Sequence, residues 1–144
     1  MNRRSSSCWS IRQGTPGDLD AVLRLWAIAD APPTVTDTLA SLRSLLANDP
    51  QTLFVADAHG ELVGSLIAAW NGWRGSFYRL AVHPDHRRCG LATHLVHEGE
   101  KRLRDRGAVR LDAIVAADEP DAIGFWTAIG YERQHDRSRF VRNL

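Results

Sequence analysis

The sequence predicts an α/β protein: a central, twisted, mostly antiparallel sheet with one parallel strand pair and helices on both faces. Three observations carry this. Residues 52–57, 61–70 and 76–82 are strand-like apolar runs separated by short turns, the mark of an antiparallel meander. The third run leads into a helical stretch, 91–106, and then into another strand-like run, 109–116. Such a strand–helix–strand unit closes as a right-handed crossover between parallel strands. The chain has 144 residues, 44% of them apolar, enough for one compact core. A meander joined to a crossover gives a mixed sheet with helices on its faces.

In chain order, residues 1–7 are basic and serine-rich with no apolar run behind them, so they are expected to be a frayed terminus rather than a secretory signal. Residues 9–13 alternate loosely, as a first strand would. Thr15-Pro16-Gly17-Asp18 puts a capping hydroxyl before a proline and an acid, a helix start. Leu19, Val22, Leu23 and Trp26 continue it to about Ala29, where Ala31-Pro32-Pro33 breaks it. A second helix, 37–47, carries Leu39, Leu42, Leu45 and Leu46, and Asn48-Asp49-Pro50 ends it. His59-Gly60 turns the first hairpin and Asn71-Gly72-Trp73-Arg74-Gly75 the second. The helix 91–106 stops at Gly107. Its Glu98–Arg102 and Glu100–Arg104 spacings read as ordinary solvated surface pairs. Pro120 opens a last helix to about Ile129, and 131–135 with 139–142 are expected to form a closing hairpin. No repeat, linker or low-complexity tract interrupts this order.

Composition narrows function. Net charge is +1, which argues against a polyanion-binding protein, and the arginines of 133–142 alternate with apolar residues as a sheet edge would. No run approaches the roughly 18 apolar residues of a membrane span. Cys8 and Cys89 lie too far apart for a metal or redox motif. The expectation is a cytoplasmic protein with no nucleic-acid, membrane or metal partner.

One stretch concentrates chemistry: Leu80-Ala81-Val82-His83-Pro84-Asp85-His86-Arg87-Arg88-Cys89-Gly90-Leu91-Ala92-Thr93. Leu80, Ala81 and Val82 end a strand, and Pro84 stops its pairing. Gly90 and Ala92 let a ligand approach the backbone. Leu91 opens a helix whose first N–H groups lack partners. Those donors, the helix dipole, Arg87 and Arg88 make an anion site, most naturally for phosphate. Cys89 reads either as an activated thiol in this field or as a small filler residue.

Arg87-x-x-Gly90-x-Ala92 fits the pattern Gln/Arg-x-x-Gly-x-Gly/Ala between a strand and a helix. It resembles the pyrophosphate loop of the GCN5-related N-acetyltransferases, the GNAT superfamily, which bind acetyl-coenzyme A. The late segment from Ala122 to Tyr131, with Phe125, Trp126 and Gly130, is similar to that superfamily's A-x-x-F-Y-x-x-x-G-F/Y helix. The Asn71–Gly75 turn before the central strand resembles the small bacterial YpeA-like acetyltransferases. The resemblance implies one GNAT domain over residues 9–144, with 1–8 disordered. It implies transfer of acetyl from acetyl-CoA, as cosubstrate, to a primary amine of a small molecule or a protein, in a monomer or homodimer. The alternative is a catalytically weak acyl-CoA-binding domain.

The same resemblance assigns cofactor contacts to Leu80, Ala81, Val82, Arg87, Arg88, Cys89, Gly90, Leu91, Ala92, Thr93 and Trp126. It also implies that the fourth and fifth strands splay, which leaves an edge of the fourth for the ligand's peptide-like arm, as an added strand would use it. Acyl transfer to an amine needs an oxyanion donor, for which a backbone N–H near Val82 is expected, and a route for protons. Tyr78 is expected on the strand face of Leu80 and Val82, as a water-positioning group, an acid or a buried tyrosine. His83 reads as a base or as turn chemistry. Trp126 stands where relatives keep a tyrosine that reprotonates the thiolate, and an indole N–H is a poor proton source. Glu119 replaces a frequent asparagine.

Overall fold

The computed structural model describes residues 9–29 and 32–144; the expected disorder of residues 1–8 and the helix break at Ala31 fall outside them. Two compact units make up the chain, one ending at Ala113 and the other running Ile114–Leu144.

The first unit is a five-stranded sheet in the order β1-β2-β3-β4-β5. Its elements are β1 (Ser10–Gln13), α1 (Leu19–Ile28), α2 (Leu39–Asn48), β2 (Leu53–Ala58), β3 (Glu61–Trp70), β4 (Gly75–Val82), α3 (Leu91–Arg106) and β5 (Leu111–Ala113). β1 to β4 pair antiparallel, and β5 joins β4 in parallel, as the crossover requires. β3 keeps its predicted bounds. β5 is much shorter than the expected 109–116, and Val109 is 96% exposed.

The helix starts follow from side-chain capping. Thr38 accepts the N–H of Ser41 at 3.1 Å, so α2 begins after it rather than at Asp37. Thr15 and Asp18 form a capping box on a 3-10 turn, Pro16–Asp18, that leads into α1.

Leu19, Val22, Leu25 and Trp26 of α1, with Leu42 and Leu46 of α2, bury one sheet face against Leu53, Val55, Ile67 and Ala81. α3 covers the other. It comes so close at Gly99 that a Cβ there would stand 2.7 Å from the Phe77 ring and 3.1 Å from Leu66. Leu91 and Leu95 lie equally near Gly64 of β3. Arg102 does not sit on the solvated face its spacing from Glu98 suggested. It shares the sheet-facing side of α3 with Leu95, Gly99 and Leu103, is 9% exposed, and gives its guanidinium to the Ala68 carbonyl and the Asp49 carboxylate.

β4 carries a bulge. Ser65 pairs with Ala81 and Ile67 with Tyr78, so Arg79 and Leu80 together oppose one residue, Leu66. The extra residue breaks the two-residue alternation. Tyr78 and Ala81 therefore share the α1/α2 face, while Val82, opposite Gly64, lies on the α3 face. The expectation that Tyr78 shares a face with Val82 is corrected.

The second unit contains α4 (Pro120–Ala128). Trp126 is buried, with Phe125 and Tyr131 meeting its ring edge-on at 5.4 and 5.0 Å between centroids. Gly130 ends the turn at φ 101°, and the N–H of Tyr131 returns to the Trp126 carbonyl at 3.0 Å. The expected closing hairpin is absent among the described residues: no strand follows α4. Its apolar residues, Phe140 and Val141, are adjacent in sequence, so an extended chain turns them to opposite sides and neither builds a buried face. They are 93% and 73% exposed.

Candidate active site

The ladder between β4 and β5 ends at the Phe77–Ala113 pair, whereas β4 continues to Val82. Beyond Phe77 the sheet gives β4 one neighbour instead of two. The N–H of His83 bonds the Val63 carbonyl at 2.8 Å, which makes Gly64–Val82 a non-hydrogen-bonded pair. The N–H and C=O of Val82 consequently point away from β3, toward the side that β5 has left. This is the arrangement that a splay of the fourth and fifth strands requires.

Past Val82 the chain turns through a short 3-10 segment, Pro84–His86, and reaches α3 by two left-handed residues, Arg88 at φ 63° and Gly90 at φ 87°. Apart from its chain neighbours, no heavy atom lies within 4 Å of where a Gly90 Cβ would be. Among the described residues, no hydrogen bond within the protein engages the backbone N–H of residues 88–93; the first α3 amide with a partner is His94, bonded to the Gly90 carbonyl at 3.1 Å. Six donors in succession, a dipole end and free space over Gly90 suit a diphosphate.

Side chains fill in the site. Arg87 folds back: its Nε donates to the Val82 carbonyl at 3.1 Å and its Nη2 to the Ala29 carbonyl at 3.3 Å. The Cys89 thiol donates to the His86 carbonyl at 2.7 Å, which is the behaviour of a locally satisfied filler. The Leu91 side chain is core, so only its amide faces the site, and Ala81 is buried in the α1/α2 layer. Leu80, Ala92 and Thr93 are half-buried and Arg88 is exposed. His83 accepts the Asp85 N–H through Nδ1 at 3.1 Å, and its ring meets His86 edge-on at 5.8 Å. That bond occupies the lone pair of Nδ1 and leaves the neutral ring's proton on Nε2. Tyr78 is 44% exposed rather than buried. Residues 80–93 thus form one continuous strand–turn–helix, while Trp126 belongs to the second unit. No group of three or more His, Cys, Asp or Glu side chains is placed to hold a metal among the described residues. No helix among them is long and apolar enough to cross a membrane.

Sequence reasoning gave no site role to Arg79, Asp37 or Ser65. Ser65 is fully buried, accepts the Trp26 indole N–H at 2.8 Å and donates to the Arg79 carbonyl at 3.2 Å. It supplies the partner that the bulge takes from that carbonyl. A serine within an otherwise apolar strand was the available signal.

A profile of the Acetyltransferase (GNAT) family matches residues 20–131. An acetyltransferase of Yersinia pestis (strain Pestoides F) is 36% identical over 117 residues, covering 81% of this chain and 83% of the relative. Among solved structures, Ard1 from Thermoplasma volcanium superposes with a TM-score of 0.76 at 22% identity, over 85% of this chain and 82% of that one. AAC(6')-Iy in complex with the bisubstrate analogue CoA-S-monomethyl-acetylneamine gives 0.74 at 21% identity, over 94% and 98%. At such identities the structures speak for the fold, and the profile and the curated relative for the family. This chain belongs to the GNAT acetyltransferase family.

Proposed function

We propose that the protein transfers acetyl from acetyl-CoA to a primary amine of a small molecule or a peptide, by direct attack while both are bound. The observation that carries this is the run of unpartnered amides, residues 88–93, set one short turn after a strand whose last outward N–H, on Val82, is also free of β3. When bound, acetyl-CoA supplies an activated thioester. The amides of residues 88–93 hold its diphosphate, and Arg87 and Arg88 add positive charge. The one-sided end of β4, Leu80 to Val82, pairs with its arm. The Val82 N–H is aimed where negative charge grows on the carbonyl oxygen. The amine must arrive uncharged. The bond from Asp85 disfavours His83 as the base, and Tyr78 faces the α1/α2 side, where it lines the acceptor's approach.

The test has two arms. Calorimetry with coenzyme A is expected to show binding that Gly90→Glu abolishes by crowding and repelling the diphosphate. Thiol release from acetyl-CoA is then followed with spermidine, kanamycin, lysine and a peptide with a free N-terminus. Coenzyme A affinity unaltered by Gly90→Glu would overturn the placement.

A second reading, a binding domain with weak turnover, is favoured by Trp126 in the tyrosine's place, since its indole does not deliver protons near neutral pH. Trp126→Tyr is expected to leave coenzyme A affinity unchanged and to raise turnover severalfold where thiolate protonation limits the rate. Unchanged or lower turnover counts against that account of proton delivery.

A further inference from the structure

The bulge in β4 places an arginine where backbone geometry favours glycine. Arg79 has φ 53°, a left-handed conformation that crowds any residue with a Cβ. Such strain persists where the surroundings impose it, and it is an observation from which a role can be sought.

The surroundings here are specific. The Arg79 carbonyl is held by Ser65, itself held by Trp26. The guanidinium lies 5.2 Å from the centre of the Trp26 ring, bonds Asp37 through Nε at 3.2 Å and again through Nη2, and gives Nη2 to the Pro32 carbonyl at 2.8 Å. Asp37 in turn accepts the Thr34 N–H at 3.0 Å, which curls residues 34–37 into a turn. The Arg79 and Asp37 side chains are 17% and 12% exposed, so this pair is shielded from solvent more than a typical surface ion pair. Residues 32–36, by contrast, are all exposed. With no buried side chain among them, these residues and Asp37, in the connection between α1 and α2, are held by polar links. Two of these come from Arg79; a third, from Arg87, reaches Ala29 at the connection's start.

The connection lies on the side from which an amine can reach Val82. Leu91 and Leu95 pack over Gly64, the residue paired with Val82, and close the α3 side. The α1/α2 side remains, where Tyr78 is exposed.

We infer that Arg79 is a positioning residue for the acceptor amine. It ties the connection between α1 and α2 to the strand that ends in Val82, so the wall that orients the amine and the amide that meets the developing charge keep one spacing. Attack geometry tolerates little misplacement, which gives the strained arginine a use at this point. The inference rests on the transferase reading above, but it concerns the acceptor and not the coenzyme.

The experiment compares wild type with Arg79→Met, Asp37→Asn and the conservative Arg79→Lys. Coenzyme A affinity by calorimetry is expected to stay within threefold in all of them. Amide hydrogen exchange in residues 34–38 is expected to accelerate at least tenfold in Arg79→Met and in Asp37→Asn. For whichever of the four amines the wild type acetylates fastest, kcat/KM for the amine is expected to fall at least thirtyfold in both, with KM for acetyl-CoA unchanged. Arg79→Lys, which can still reach Asp37, recovers a third or more of it. A merely structural role would lower coenzyme A affinity and amine kcat/KM together, and that result overturns the inference, as does an unaltered kcat/KM. If Arg79→Met fails to fold, Asp37→Asn decides on the same readings. A wild type that binds coenzyme A yet acetylates none of the four amines sinks the transferase reading, and the acceptor role of Arg79 with it.

Discussion

The two ends of β4 are built from one continuous strand and behave differently. At the first, Gly75 to Phe77 has β3 on one side and β5 on the other, lies under α3, and is locked by Arg102, which bonds the Ala68 carbonyl opposite Phe77 and the Asp49 carboxylate. At the second, Tyr78 to Val82 has β3 alone, carries a bulge and a left-handed arginine, and leads into amides without partners. Both ends use an arginine–aspartate pair. Arg102 reaches its aspartate from regular helix, whereas Arg79 does so from a strained backbone. The difference teaches where the molecule completes its hydrogen bonding and where it leaves backbone groups without partners.

Substitutions at the two ends should therefore separate stability from binding. The largest effect is expected from Arg102→Met, which leaves Asp49 without its guanidinium; removing one partner of a buried pair costs about 3 kcal/mol. Denaturant unfolding should show that loss with coenzyme A affinity unchanged. Gly90→Glu is its mirror image. Its affinity loss of at least about 100-fold corresponds to about 2.8 kcal/mol, against about 1 kcal/mol of stability for a side chain in a left-handed position. Gly99→Val presses on Phe77 and Leu66 and should cost about 2 kcal/mol by overpacking, again without touching coenzyme A binding. If either first-end variant lost affinity in proportion to stability, the division of labour along β4 would be wrong.

The smallest effect lies away from β4. Arg12 bonds Asp18, at 2.8 and 2.9 Å, and Asp57. The Arg12 bond, with further help from the N–H and hydroxyl of Thr15, draws the Asp18 carboxyl down from 3.8 to about 2 against a desolvation that opposes it. A carboxyl depressed in the folded state contributes stability that is present above pH 3.8 and lost as pH falls toward 2. Asp18→Asn should lower stability at neutral pH by less than about 1 kcal/mol, as for other partly exposed pairs. It should also flatten the acid limb between those pH values in a denaturation series.

Much of the fold was legible because its signals are local. The proline at 16, the hairpin turn at Gly60 and the apolar spacing of α3 each report on their own neighbourhood. The run of unpartnered amides was legible for the same reason, since a strand end, a glycine and a helix start are contiguous in sequence. The bulge was not. It depends on how two strands align, and nothing in the residue type of Arg79 announces a left-handed backbone; the misplaced face of Tyr78 follows from that one residue. Arg102 could have been read correctly, because it falls seven residues after Leu95 and next to Leu103, on the apolar stripe, but its charge directed attention to Glu98. Asp37 looked like the first residue of a helix, and only a contact 42 positions away shows its other use. The closing hairpin was inferred from alternation too weak to bury anything.

Arg87 has a consequence for the one-sided end of β4. A strand paired on one side only is a template on which another chain can add itself, and proteins commonly break such edges with bends and basic side chains. β4 has both: the kink at Arg79 and Leu80 interrupts the register, and Arg87 caps the outward carbonyl of Val82. A neighbouring polypeptide meets no uninterrupted row of donors and acceptors there, so self-association through this flank is discouraged.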